Sequence, residues 1–409
     1  MFAVESSAVD QQLAENAERL LLELLAIPGE SGRERRVMEF LVRKLRQAGA
    51  PAAAIHFDAA HLRSPHGGEV GNLVCKLPGT LRGGRRLLMA HVDTVPLCRG
   101  ARPLRRGGFI VPADKQTGLG ADDRAGVAVV LSAALEIVRR RLPHPPLTFC
   151  FTVQEELGLY GVRYARLAAL GKPRLAFNFD GGPADKVTIG ATGGYRMEIS
   201  ITGVASHAGS APEEGVSAIA IAALAIARLH QEGWHGRIEK GSGQGTSNVG
   251  VIRGGDATNV VTPLVEVRAE ARSHDPVFRR QIVRMIEREF QKAARSVRNR
   301  RGVCGHVRIA GRLDYEAFKL ADDDPGVLAA EAAVAAAGGS PLRAISNGGL
   351  DANWMTARQI PTVTLGCGQE NPHTVAERLD LAEFHRACQI ALRLATASER
   401  PGVAHTAPR

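Results

Sequence analysis

Aromatic side chains are scarce in this sequence, at 4% of 409 residues. That scarcity argues against a single-stranded nucleic-acid groove, which needs rings on which bases can stack. No apolar run approaches the roughly 20 residues of a membrane-spanning helix. The opening "MFAVESSAVDQQLAENAERL" is acidic and polar, unlike the basic start and apolar centre of a signal peptide. Cysteines are few and far apart: Cys75, Cys98, Cys150, Cys304, Cys367 and Cys388, with no Cys-x-x-Cys pair. That pattern suits free thiols in a reducing cytoplasm, not a disulfide framework or a thiolate zinc site.

Charge is not scarce. The chain carries a formal +10, yet its arginines are scattered, in short runs such as those at residues 105–106, 139–141 and 298–301. We read this as a solvated basic surface that can steer an anionic substrate inward. A basic nucleic-acid-binding scaffold remains the rival of another class.

Hydrophobic content of 44% and charged content of 23% describe a globular chain long enough for two domains. Residues 15–49 read as two amphipathic helices split by "IPGESG". Short apolar strands then alternate with helices: "RRLLMAHV", "DDRAGVAVVLSAALEIVRRR", "LTFCFTV", "GLYGVRYARLAAL", "RLAFNFD". Such alternation predicts a mostly parallel sheet covered by helices. Near residue 193 the pattern changes to alternating strands and amphipathic helices in the order βαββαβ, which can fold as its own unit. We therefore expect an inserted lid or dimerisation domain at 193–311 within a discontinuous α/β catalytic domain at 1–192 and 312–409. Gly193 and Gly194 are expected hinge residues, and the tail 397–409 is expected to be disordered.

The stretch "TVQEELGLYG" raises a problem. Glu155 and Glu156 follow a strand buried on both faces, and neighbours on a strand point to opposite sides. Two adjacent acids there would bury unpaired charge. The same arrangement recurs. "RRLLMA" runs into His91 and Asp93, "RLAFNF" into Asp180, "IPTVTLG" into a loop with His373, and Asp122 and Asp123 open the long helix. Parallel strands put all their carboxyl ends on one edge, where ligands of α/β sheets collect. Two histidines with several carboxylates suit two divalent metals bridged by one carboxylate. One glutamate can then hold a metal while its neighbour takes a proton from water.

At these residues a resemblance becomes specific. "HVDTV", "GADDRAG", "EELGLYG", "FNFDGG", "SHAG…PEEG", "GGLDANWM" and "NPHT" occur in order over most of the chain. They resemble the co-catalytic dizinc hydrolases that include peptidase T, carboxypeptidase G and acetylornithine deacetylase, and the peptidase T-like branch most. The resemblance implies that Asp122 bridges the metals, that His91 and Asp180 hold one, and that Glu156 and His373 hold the other. Asp93 would orient the His91 imidazole, and Glu155 would be general base and then acid. His207 would stabilise an oxyanion from across a homodimer. Asn259 and Arg272 would contact the substrate, with Gly348 and Gly349 approaching its backbone. Asn259 reads equally as a turn residue, and Arg272 as one of an alternating salt-bridged face with Glu266, Arg268 and Glu270. Zinc comes first among the metals, with cobalt or manganese as alternatives. The implied reaction is hydrolysis of a short peptide at one end, with N-acyl amino acid deacylation or carboxypeptidase action as rivals.

Overall fold

The computed structural model describes the backbone of residues 2–397 and the side chains of residues 11–397. Apart from Ala397, the tail 397–409 lies outside the described residues. The chain separates into two compact units, Met1–Gly190 with Lys319–Ile345 and Leu350–Arg409, and Ala191–Phe318 with Ser346–Gly349.

The centre of the first unit is four parallel strands, in spatial order Leu147–Thr152, Arg86–His91, Leu175–Phe179 and Thr362–Leu365. Antiparallel strands flank them, Leu73–Leu77 beside Leu147–Thr152 and Lys186–Ala191 beside Thr362–Leu365. Every residue of 86–91 and 147–152 is buried, which is why these strands read as continuous apolar runs without alternation. The helix Ala121–Arg140 packs on this sheet and is covered in turn by Phe2–Leu25, Arg35–Ala48 and Leu381–Thr396. Its residues Ala125–Ile137 are buried all round, as expected of a helix apolar on every face.

The expected helix "GLYGVRYARLAAL" is broken into Tyr160–Arg163 and Leu167–Leu170. The guanidinium of Arg358, distant in sequence, donates to the carbonyls of Val162 and Ala165 at 3.0 and 2.9 Å. Those acceptors would otherwise serve a continuing helix.

The second unit is one antiparallel sheet, in spatial order Gly236–Lys240, Gly243–Arg253, Leu264–Ser273, Gly193–Thr202 and His306–Tyr315. Two helices, Ala218–Gln231 and Pro276–Ser296, cover one face. Met197, Ile199, Ile201, Val265 and Val267 meet Ile221, Leu229, Ile282, Ile286 and Phe290 there. The order is βαββαβ with one more edge strand, Gly236–Lys240, whose short "GRIEK" exposes four of its five residues and so carries little apolar signal.

Gly193 and Gly194, expected as hinge residues, are part of a strand. They open the strand Gly193–Thr202 and pair in register with Ser273 and Arg272. They are glycines because of packing: a Cβ on Gly194 would lie 2.7 Å from the Tyr315 ring, and one on Gly193 would meet the buried Arg279 guanidinium. No helix among the described residues is long and apolar enough to cross a membrane.

Candidate metal centre

His91 is the last residue of its strand, and Asp180 follows directly on Phe179. Asp122 precedes the regular part of the helix Ala121–Arg140, because Asp122 and Asp123 both lie outside helical φ/ψ. Glu155 and Glu156 follow the end of Leu147–Thr152, and His373 sits in the loop after Gln369–Glu370. The first unit thus gathers six of the expected residues at one edge of its sheet.

Two groups of donor atoms form, each with its atoms within 4.8 Å of one another: His91, Asp122 and Asp180, and Asp122, Glu156 and His373. Asp122 belongs to both. Its Oδ1 is 3.3 Å from His91 Nε2 and its Oδ2 is 3.2 Å from His373 Nε2. Glu156 Oε1 is 2.8 Å from the same His373 nitrogen. His91 Nδ1 is 3.1 Å from the Asp93 carbonyl oxygen and 3.4 Å from its Oδ1. A proton held on Nδ1 leaves the Nε2 lone pair facing Asp122.

Asp123 takes a different part. Its Oδ1 accepts from the Gly126 amide at 3.1 Å, capping the helix, and from Gln369 Nε2 at 3.0 Å. Its Oδ2 accepts from the His91 amide at 3.2 Å. So the capping acid is the second of the pair, and the first is free to face both histidines.

The problem of the two adjacent glutamates is solved by the backbone. Gln154 has a left-handed φ of 55°, so the strand has ended before Glu155. The amides of Glu155 and Glu156 donate to Asp93 Oδ1 and Oδ2 at 3.0 and 3.1 Å. Asp93 therefore anchors the glutamate loop as well as lying beside the His91 ring.

The electrostatics fit bound cations. Burial, aided by the Asp122 charge, pushes the Asp180 carboxyl up to about 7. Burial also raises Glu155 and Glu156, each of which repels its neighbour carboxylates. Hydrogen bonds to Asp122 and Glu156 push His373 up to about 10. A proton on His373 Nε2 and a cation compete for one position between those two acids. Three carboxylates and two imidazoles with hard and borderline donors fit a pair of dications, whose charge would offset this crowding.

Three buried acids at this edge escaped the sequence reading. Glu377 Oε2 accepts from the Leu119 and Gly120 amides at 2.7 and 2.8 Å, and its Oε1 from the Asp122 amide at 3.0 Å. Asp351 Oδ2 accepts from the Thr152 hydroxyl at 2.5 Å. Glu34 accepts from the Gln154 amide at 3.2 Å. Glu377 lies four residues after His373 and Asp351 inside "GGLDANWM". Glu34 lies between Arg33 and Arg35 and Glu377 beside Arg378, so neither ligand spacing nor an apolar context singles them out.

The other expected site residues belong to the second unit. His207 is exposed, and its Nδ1 accepts from the amides of Gly209 and Ser210, both at 3.1 Å. Its Nε2 is then the protonated, donating nitrogen. Asn259 is exposed in a turn, and its carbonyl accepts from the Ala208 amide at 2.9 Å. Arg272 forks onto Glu270, with both hydrogen bonds at 3.0 Å, which fits the reading of an alternating charged face. Gly348 donates its amide to Ser346 Oγ at 3.1 Å, and a Cβ on Gly349 would lie 2.5 Å from the Tyr315 ring.

A parallel α/β sheet with paired histidine and carboxylate groups at its carboxyl edge defines a metal-dependent hydrolase. The chain belongs to peptidase family M20/M25/M40, whose description it matches over residues 87–397. It is similar to the uncharacterized protein YqjE of Bacillus subtilis (strain 168), with 31% identity over 387 residues, 93% of this chain and 98% of that one. A tripeptidase from Staphylococcus aureus subsp. aureus Mu50 shares 31% identity at a TM-score of 0.83, over 94% of this chain and 98% of the other. Aminopeptidase PepT from Bacillus cereus ATCC 10987 shares 32% identity at a TM-score of 0.79, over the same shares.

Proposed function

We propose that this enzyme is an exopeptidase removing the N-terminal residue of short peptides, tripeptides foremost, and that it works with two divalent cations, zinc first, as a cytoplasmic homodimer. The observation that carries this reading is that one carboxylate, Asp122, belongs to both donor groups, while Glu155 directly precedes Glu156 of the second group. Similarity to a tripeptidase and to an aminopeptidase supports the substrate class.

In this reading His91, Asp122 and Asp180 hold one cation, and Asp122, Glu156 and His373 the other. When bound, the pair supplies positive charge that polarises a carbonyl oxygen and lowers the pKa of water. Glu155 takes a proton as the water oxygen bonds to the scissile carbonyl carbon. It returns that proton to the amide nitrogen as the C–N bond breaks, so that a free amine and a carboxylic acid leave. Asp93 fixes the His91 ring and the two glutamate amides. His207 of a partner chain donates its Nε2–H to the tetrahedral oxyanion. Asn259, Arg272, Gly348 and Gly349 complete the substrate contacts, Arg272 by exchanging Glu270 for a substrate carboxylate.

A panel of dipeptides and tripeptides against N-acyl amino acids, each with zinc, cobalt or manganese, tests the reading. Preferred release of the N-terminal residue from tripeptides is expected. Cleavage of N-acyl amino acids alone, or release of the C-terminal residue, would replace it with a deacylase or a carboxypeptidase.

A further inference from the structure

Glu34 is fully buried, a rare place for an acid, and among the described residues no ion pair is made by its carboxylate, although the buried Arg124 acts on it electrostatically. It stands just before the helix Arg35–Ala48 and does not cap it. Its Oε1 accepts instead from the Gly32 amide at 2.7 Å and from the Gln154 amide at 3.2 Å. Its Oε2 is buried with no hydrogen-bond partner.

Gln154 is where the chain turns out of the sheet, and it does so in the left-handed region that side-chain-bearing residues disfavour. Something must hold it there. Its side chain is tied on both ends, accepting from Ser64 Oγ and donating to the Gly67 carbonyl, each at 2.6 Å. Its amide is tied to Glu34. The next two amides, of Glu155 and Glu156, are tied to Asp93, which also accepts from Ser31 Oγ at 2.6 Å. Three consecutive amides therefore converge on two buried carboxyls, and residues 31–34 support both. The direction in which Glu155 and Glu156 leave the chain is set at this point.

We propose that Glu34 is a positioning residue for Glu155: by accepting the Gln154 amide it holds the left-handed turn that aims the two glutamates. It touches no substrate and no cation. What matters is an acceptor oxygen at that distance, not a charge. Burial, with the neighbouring Asp93 charge, pushes the Glu34 carboxyl up to about 8. That shift favours the neutral acid, and Oε1 can accept the two amides in either protonation state. An amide can take its place, but a shorter acid cannot.

The proposal rests on Glu155 acting as the base, so its test has a readout independent of turnover. Hydrogen exchange of the metal-free protein reports the amides of Gln154, Glu155 and Glu156 directly. Glu34→Gln should leave their exchange unchanged and keep kcat within about threefold of wild type. Glu34→Asp retains the carboxyl group but withdraws the acceptor by one methylene. It should speed exchange at these three amides by about tenfold or more. It should lower kcat by on the order of 10–100-fold, with KM unchanged within about twofold and the wild-type metal content retained. Glu34→Asp is a small polar change, so the fold should persist, and unchanged exchange at Leu45 and Leu41 checks this. Unchanged exchange at Gln154–Glu156 in Glu34→Asp would overturn the proposal. So would Glu34→Gln behaving worse than Glu34→Asp, because charge would then be the operative property. A wild-type protein that cleaves no peptide or N-acyl substrate would overturn the functional reading alone, and exchange would still decide the role of Glu34.

Discussion

Replacing Glu377 by Gln should loosen the segment that carries Asp122. The Glu377 side chain is buried and accepts three backbone amides, of Leu119, Gly120 and Asp122. A glutamine offers one acceptor oxygen and one NH2 group. If its oxygen serves Leu119 and Gly120, the NH2 faces the Asp122 amide, donor against donor. If it serves Asp122, two amides are lost. At least one of three bonds is always forfeited, and a buried donor left unmade costs about 1–3 kcal/mol. Glu377→Gln should therefore destabilise by about 2 kcal/mol, and Glu377→Ala, with all three amides orphaned, by about 3–6 kcal/mol. Urea unfolding monitored by circular dichroism is the assay. With a slope of roughly 2 kcal/mol/M, the glutamine variant should unfold about 1 M earlier with its slope unchanged. The same variant should bind divalent cations more weakly, because the Asp122 amide is one of the donors at stake. Unfolding at the wild-type urea concentration, or equal losses in the Gln and Ala variants, would refute the accounting.

Asp122→Ala should abolish binding of both cations, and elemental analysis finding two retained per chain would put the bridge elsewhere. Glu155→Ala should keep both cations and lose about 10²–10⁴ in kcat, whereas Glu156→Ala should lose one cation; the reverse pattern would exchange their roles. His207→Ala should cost on the order of 10²–10³ in kcat. Mixed with Glu155→Ala under proven subunit exchange it should recover roughly a quarter of wild-type activity if His207 serves the partner chain, and no recovery would exclude that. The folded Glu34 carboxyl lies above its ordinary value, so its stabilising contribution is complete below about pH 4.5 and falls as pH rises toward about 8. Glu34→Gln should flatten thermal stability across that window relative to wild type, and parallel pH profiles would show that Glu34 does not titrate there.

Much of the first unit was legible because its strands are buried on both faces and its long helix all round, so apolar runs mark them without ambiguity. The break at Arg163–Leu167 was not, since it depends on Arg358, nearly 200 residues away. The extra edge strand Gly236–Lys240 was not, since an exposed strand carries no apolar stripe. At Gly193 and Gly194 the sequence says only that a Cβ is absent. The structure supplies the reason, close packing against Tyr315 and Arg279.

By itself the sequence determined the fold class and an inventory of chemistry: histidines and carboxylates, most of them at or just beyond the end of an apolar strand and Asp122 at the start of a helix. Those features are local, because strand burial and strand ends are written in neighbouring residues. Without the family resemblance, it leaves the two acids of "ADDRAG" chemically equal and the two of "EELGLYG" adjacent. The tertiary structure supplies the physical difference between them. Asp123 turns inward to the Gly126 and His91 amides while Asp122 faces both imidazoles. Gln154, held in a left-handed turn by Glu34, takes both glutamates off the strand before their alternation would matter. Such distinctions come from hydrogen bonds between segments 30 to 260 residues apart, and no local pattern records them.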